Sequence, residues 1–170
     1  QAAESEKPTQ VAEAAVVGLH EHRVRRDERD VQRRPNRRGF PRTAPLAAAN
    51  GWPIYLVTPA PGADTVLSAA MAADGVTEAL VLGGTAAVAA NVEADLAADV
   101  PCATERFDGD DRYETACKVA SYGVSDGGLS WNRLAIATGA NFPDALAGGV
   151  LQGRSGSVML LTPSAALNGD

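Results

Sequence analysis

The densest chemistry in the chain is RFDGDDRYETA at residues 106–116, where Arg106 and Arg112 stand among Asp108, Asp110, Asp111 and Glu114. A guanidinium is a planar fork of donors that matches phosphate or carboxylate, so two of them at a loop–helix junction can grip an anion. The same groups can be held by neighbouring carboxylates as fold-fixing ion pairs. The residues alone leave both readings open. Most of the acids serve the local backbone. Asp111 followed by Glu114 fits a capping box, and carboxylates suit the positive end of a helix. Calcium fits poorly, because counting Asp108 as the first ligand puts Val119 where a bidentate Glu belongs.

A second stretch, ATGANFPDALAGG at 137–149, ends a strand at Gly139, turns, and starts a helix near Pro143 with Asp144 in its first turn. Ligands of open α/β sheets bind beyond the carboxyl ends of strands, where helix N-termini offer free N–H groups. Asp144 repels an anion there unless an arginine such as Arg112 pairs with it, so a structural Asp144 is the favoured reading. A third stretch, VLGGTAA at 81–87, is strand, Gly83-Gly84, helix. It lacks both the GxGxxG spacing and the P-loop lysine of phosphate cradles. No Gly-x-Ser-x-Gly elbow is present, and His20 and His22 lie outside the α/β region.

These motifs need a frame. PIYLVTP, TEALVLGG, RLAIATG and VMLLTP are short apolar runs that read as buried strands. Helical stretches alternate with them. One carries Val66, Ala69, Ala70 and Ala73 on a stripe and stops at Gly75; another carries Val88, Val92 and Leu96. The alternation predicts an α/β fold: a three-layer αβα arrangement on a mostly parallel open sheet of about four strands.

The net charge of −6 is unevenly spread: residues 1–42 sum to +3 and residues 43–170 to −9. Residues 1–42 read as a disordered or degenerate basic segment, and the acidic remainder argues against nucleic-acid binding. No apolar run reaches the length of a membrane span. Cys102 and Cys117 are too few for a structural zinc site; they read as two partly buried thiols, with a disulfide as the alternative.

The chain also echoes itself. GFPRTAPLAAANGWPIYLVTP at 39–59 resembles NFPDALAGGVLQGRSGSVMLLTP at 141–163. Each has Phe-Pro, a small-residue helix, a glycine, and an apolar strand ending Thr-Pro, an offset of about one compact domain.

Taken together, RFDGDDRYETA, LAIATGANFPDALAGG, VMLLTP and ALVLGGTAAVAANVEADL resemble the bacterial cell wall-binding repeat 2 family over about residues 44–170. The resemblance implies a non-catalytic, cofactor-free module of secreted or S-layer-type proteins on Gram-positive cell surfaces. It implies two partners: an anionic secondary cell wall polymer and neighbouring repeats of the same kind. By position, Arg106, Arg112, Thr115 and Thr138 become candidate ligand-binding residues. Gly109, Asp111, Tyr113, Glu114, Gly83, Gly84, Gly139, Phe142, Pro143 and Asp144 become the structural motif. Residues 43–105 then correspond to the C-terminal half of one repeat and 106–170 to the N-terminal half of the next, with 43–170 as one permuted module if the halves close on each other. The alternative functions are a phosphate- or nucleotide-using α/β enzyme and an inactive scaffold fragment.

Overall fold

The computed structural model describes residues 14–19, 44–57, 65–100, 102–140 and 143–165. In chain order the elements are β1 (Ala14–Leu19), α1 (Ala44–Asn50), β2 (Ile54–Val57), α2 (Thr65–Ala73), β3 (Glu78–Leu82), α3 (Ala90–Asp99), β4 (Ala103–Phe107), α4 (Arg112–Ser125), β5 (Ser130–Thr138), α5 (Pro143–Arg154) and β6 (Ser157–Thr162). The fold is α/β, as the alternation of apolar runs and helical stretches predicts. All four predicted strands form, and two further ones appear: β1, and β4, which carries Arg106.

The strands lie in two sheets rather than one. The larger has the order β2-β1-β3-β4, and the smaller is the pair β5-β6. The pairs β3–β4 and β5–β6 are parallel. β1 is antiparallel to both of its neighbours, so β2, β3 and β4 run in one direction and β1 alone is reversed. The strand at 14–19 falls within the segment that composition predicts to be disordered. AAVVGL is a six-residue apolar run with no helical period, and its place between β2 and β3 depends on residues far along the chain. The Arg-rich run at 20–42 lies outside the described residues.

β3 explains the layering. Its side chains alternate in a strand, so Ala79 and Val81 enter one core while Leu80 and Leu82 enter another. Leu67 and Met71 of α2 and Val92 and Leu96 of α3 fill the first. Leu46 and Ala47 of α1, Val119 and Ala120 of α4, and Val158 of β6 fill the second. Helices therefore cover β3 on both faces, which accounts for its continuous apolar sequence. A third, smaller core joins Ala116, Ala145, Met159 and Leu161 where α5 covers β5 and β6.

The stripe Val88, Val92 and Leu96 is buried as its spacing predicts, although α3 itself begins at Ala90. The α2 stripe differs. Ala69 and Ala73 are exposed, while Leu67 and Met71 are buried. In a helix rich in alanine the periodicity is nearly uniform, and the two longest apolar side chains choose the inward face. Cys102 and Cys117 are free and half-buried, and burial pushes the Cys102 thiol up.

Tyr55 on β2 donates its hydroxyl to Asp74, just past α2. Burial, first, and then the hydrogen bond and negative charge of Asp74 push its phenol far above the ordinary value of 10.0. Below pH 10 the phenol is neutral in both folded and unfolded chains. Above it the unfolded chain releases the proton first, so stability falls as the pH rises. Urea unfolding between about pH 8 and pH 11 is expected to show this loss. Tyr55→Phe should flatten it; an unchanged slope would mean that Tyr55 is not the group responsible.

Candidate functional site

The motif residues sort into three neighbouring structures at the carboxyl ends of the strands. The first surrounds Arg106 on β4. Its Nε and Nη2 donate to Glu93 Oε2 on α3 at 2.8 and 2.6 Å. Its Nη1 donates to the carbonyls of Gly83 at 2.6 Å and Val88 at 3.0 Å. The Arg106 side chain is 13% exposed and that of Glu93 28%. Gly83 takes φ 108°, where a side chain is strained, and its N–H donates to Phe107 O at 2.8 Å. The Gly83-Gly84 turn, the start of α3 and the end of β4 are thus drawn onto one guanidinium. Its donors face inward, so Arg106 is placed as an internal clamp and not as an open anion fork.

The second structure is the loop into α4. Asp111 is its N-cap: Oδ1 accepts from the N–H groups of Tyr113 at 2.7 Å and Glu114 at 3.0 Å. Glu114 Oε2 accepts from Asp110 N at 2.6 Å, one residue before the cap, which varies the box the spacing predicts. That backbone donor, with help from Lys118, holds the Glu114 carboxyl below its ordinary range. Thr115 is 3% exposed. Its hydroxyl donates to Asp111 O at 2.8 Å and accepts from Gly109 N at 3.0 Å, so it ties the loop to the helix. The hydroxyl that the resemblance offers to a ligand is therefore occupied by backbone. Lys118, outside every motif, donates to Asp108 O at 2.6 Å and pairs with Glu114 at 3.1 Å.

The third structure joins α4 to the end of β5. Arg112 Nη1 donates to Gly139 O at 2.8 Å. Among the described residues no carboxylate lies within ion-pair distance of Arg112, and Gly139 O is the acceptor found for it there. The Tyr113 ring packs beside Gly139 so closely that a Cβ at Gly139 would collide with it. Thr138 Oγ1 accepts from Ala140 N at 3.2 Å, and a hydroxyl that accepts one bond still has a proton to donate. Gly139 N donates to Thr162 O at 2.9 Å, linking the ends of β5 and β6. Pro143 opens α5 and Asp144 stands exposed in its first turn, the structural position expected for it. Phe142 lies outside the described residues.

The two arginines divide the two readings that the residues leave open. Arg112, beside the acids, is bound among the described residues to a carbonyl. Arg106 found its carboxylate in Glu93, an α3 residue within ALVLGGTAAVAANVEADL that the sequence analysis gave no role. One signal could have found Glu93: a strand arginine that turns inward needs an acid, and Glu93 is the acid in the first turn of the helix after Gly83-Gly84.

A shallow groove of about 660 Å³ runs between β4 and α4, lined in part by Glu105, Asp108, Cys117, Lys118, Tyr122 and Asp126. Burial, first, and the nearby carboxylates of Glu78, Glu105 and Asp126 push the Tyr122 phenol up. The groove's lining sets four carboxylates, Glu105, Asp108, Glu114 and Asp126, against Arg106 and Lys118. Arg112 is not among the lining residues.

Comparison with known proteins agrees with this geometry. Residues 106–170 match the model of the family described as cell wall binding domain 2. The chain is also similar to the N-acetylmuramoyl-L-alanine amidase LytC of Bacillus subtilis (strain 168), 30% identical over 122 residues. That match covers 72% of this chain and 23% of LytC, so the chain spans under a quarter of the length of that relative. No solved structure matches. No helix among the described residues is long and apolar enough to cross a membrane. The segment that holds the N-cap, Arg112, the Thr138–Gly139 strand end and α5 is thus the part of the chain that matches, over residues 106–170, the cell wall binding domain 2 family.

Proposed function

We propose that the chain is a non-catalytic module that holds a surface protein on an anionic wall polymer, and that Arg112 makes the contact. One observation carries the reading: Arg112 is a half-buried guanidinium aimed by Gly139 O, with no carboxylate partner among the described residues. A charge held in place by one carbonyl keeps its remaining N–H groups for a ligand, at little further cost in entropy. The Thr138 hydroxyl stands at the same strand end as a second donor. The matched family is a binding domain by its description, which supports a wall-binding role and no catalytic one.

The domain reading is also a proposal: residues 43–105 and 106–170 close on each other as one permuted module. What supports it is a shared core, where Leu46, Ala47, Leu80 and Leu82 of the first half pack with Val119, Ala120, Leu129 and Val158 of the second.

The test is retention of the full chain on purified Gram-positive walls. Retention should fall as salt is raised, because an exposed ionic contact is screened. Arg112→Ala should weaken it about tenfold, the share of one charge-assisted hydrogen-bonding group. Equal retention by Arg112→Ala and the parent chain, at low and high salt alike, would remove the polymer contact from this residue.

A further inference from the structure

Arg112 and Tyr113 are consecutive residues in the first turn of α4, and both reach Gly139 at the end of β5. Arg112 Nη1 donates to Gly139 O at 2.8 Å. The Tyr113 ring lies against the α-carbon of the same residue. A Cβ on Gly139 would collide with Tyr113 Cε1 and stand 3.2 Å from Cδ1 and Cζ. Gly139 N donates to Thr162 O at 2.9 Å, so β6 and α4 together grip the residue at three points.

The ring is itself fixed. Tyr113 N donates to the Asp111 cap at 2.7 Å, and the side chain packs against the core of Ala116, Ala145, Met159 and Leu161. That matters to the neighbouring guanidinium. A carbonyl aims a donor only as well as the carbonyl is held, and glycine is the residue type with the most backbone freedom. The ring supplies the restraint that Gly139 lacks by nature, and its close approach depends on Gly139 having no side chain.

We propose that Tyr113 is a positioning residue for Arg112: its ring holds the Gly139 carbonyl that aims the guanidinium. The inference rests on the reading of Arg112 as the contact to the wall polymer. Tyr113 itself touches no polymer; it orders Arg112 before the ligand arrives. Immobilising a long side chain on binding costs affinity, and a guanidinium already held avoids that cost. Loss of the ring therefore weakens retention on walls by about three- to tenfold, no more than loss of Arg112 itself.

Retention of the full chain on purified Gram-positive walls tests this with paired substitutions. Tyr113→Leu keeps apolar bulk in the core and removes the flat ring, so it should bind weakly. Tyr113→Phe keeps the ring and should bind as the parent does. Ala120→Gly weakens α4 in the separate core of Leu80 and Val119, and it should also bind as the parent does, which controls for lost stability. In an Arg112→Ala background, Tyr113→Leu should change retention by less than about twofold, because no guanidinium is left to aim. A second measurement needs no wall. NMR of the guanidinium nitrogens reads rotation about the Arg112 Nε–Cζ bond, which should be slow in the parent and faster in Tyr113→Leu. If Arg112→Ala leaves retention unchanged, the polymer contact at Arg112 falls, and this rotation alone judges the positioning. Unchanged rotation in Tyr113→Leu overturns the proposal. So does full retention by Tyr113→Leu where Arg112→Ala loses it, an equal loss with and without Arg112, or a loss in Tyr113→Phe or Ala120→Gly that matches Tyr113→Leu.

Discussion

Arg106→Ala is expected to lower the stability of the fold by about 3 kcal/mol, a loss typical of removing one partner from a buried ion pair. The substitution strands three acceptors together: the Glu93 carboxylate and the carbonyls of Gly83 and Val88. Glu93 keeps 28% of its side chain in water and can partly rehydrate, which places the cost at the lower end of the range. Arg106→Lys restores the charge but not the fork, because a single ammonium cannot serve Glu93 and both carbonyls with the same geometry. It should recover less than half of the loss. Arg112→Ala breaks one bond to a carbonyl and should cost less than about 1.5 kcal/mol. Urea unfolding measures all three. If Arg106→Ala proved no more costly than Arg112→Ala, the clamp at the Gly83 turn would not exist as described.

The second large effect is expected at Gly109. A Cβ there would stand 2.6 Å from Glu114 Cβ, 2.6 Å from Thr115 N and 2.9 Å from the Glu114 carbonyl carbon. Two of these atoms are backbone of α4, which cannot swing aside. The loop must then leave the helix, and the bond from Gly109 N to Thr115 Oγ1 goes with it. Gly109→Ala is expected to cost about 3 kcal/mol, the upper part of the range for overpacking. Gly84→Ala is the matched control: its Cβ would meet only Asp108 Cβ, at an ordinary 3.9 Å. It should change stability by about 0.5 kcal/mol or less. Thermal or urea unfolding of both variants decides the matter. Equal midpoints would show that the loop can shift away from α4, and that Gly109 is not required for close packing.

These two experiments separate roles that one motif merges. Arg106, Gly109 and Thr115 hold the strand ends and the α4 cap together. Arg112 and Thr138 are the residues proposed for a ligand. A wall-binding assay that used Arg106→Ala alone would confuse unfolding with lost contact. Arg112→Ala, with its small expected effect on the fold, is the informative substitution for binding.

Interactions within a few residues were legible. Asp111 as the cap of α4 follows from positions two and three residues apart, and the structure repeats it with Tyr113 and Glu114 as donors. The apolar runs at 54–57, 78–82 and 157–162 are strands because continuous hydrophobicity over so short a length has few other uses. Other features depended on distant partners. Nothing near Arg106 names Glu93, and nothing in AAVVGL names β2 and β3. The inward face of α2 stayed hidden because alanine supplies apolar character on every side.

The sequence by itself determined the α/β class, the α4 cap and the family to which residues 106–170 belong, since each is written in residue types and short spacings. The tertiary structure alone decided which arginine pairs with a carboxylate and which with a carbonyl. Charge pairing acts between side chains that the fold brings within about 3 Å. That distance is set by how β4 lies against α3 and how α4 lies against the end of β5, and neither packing is encoded in the eleven residues that carry both arginines.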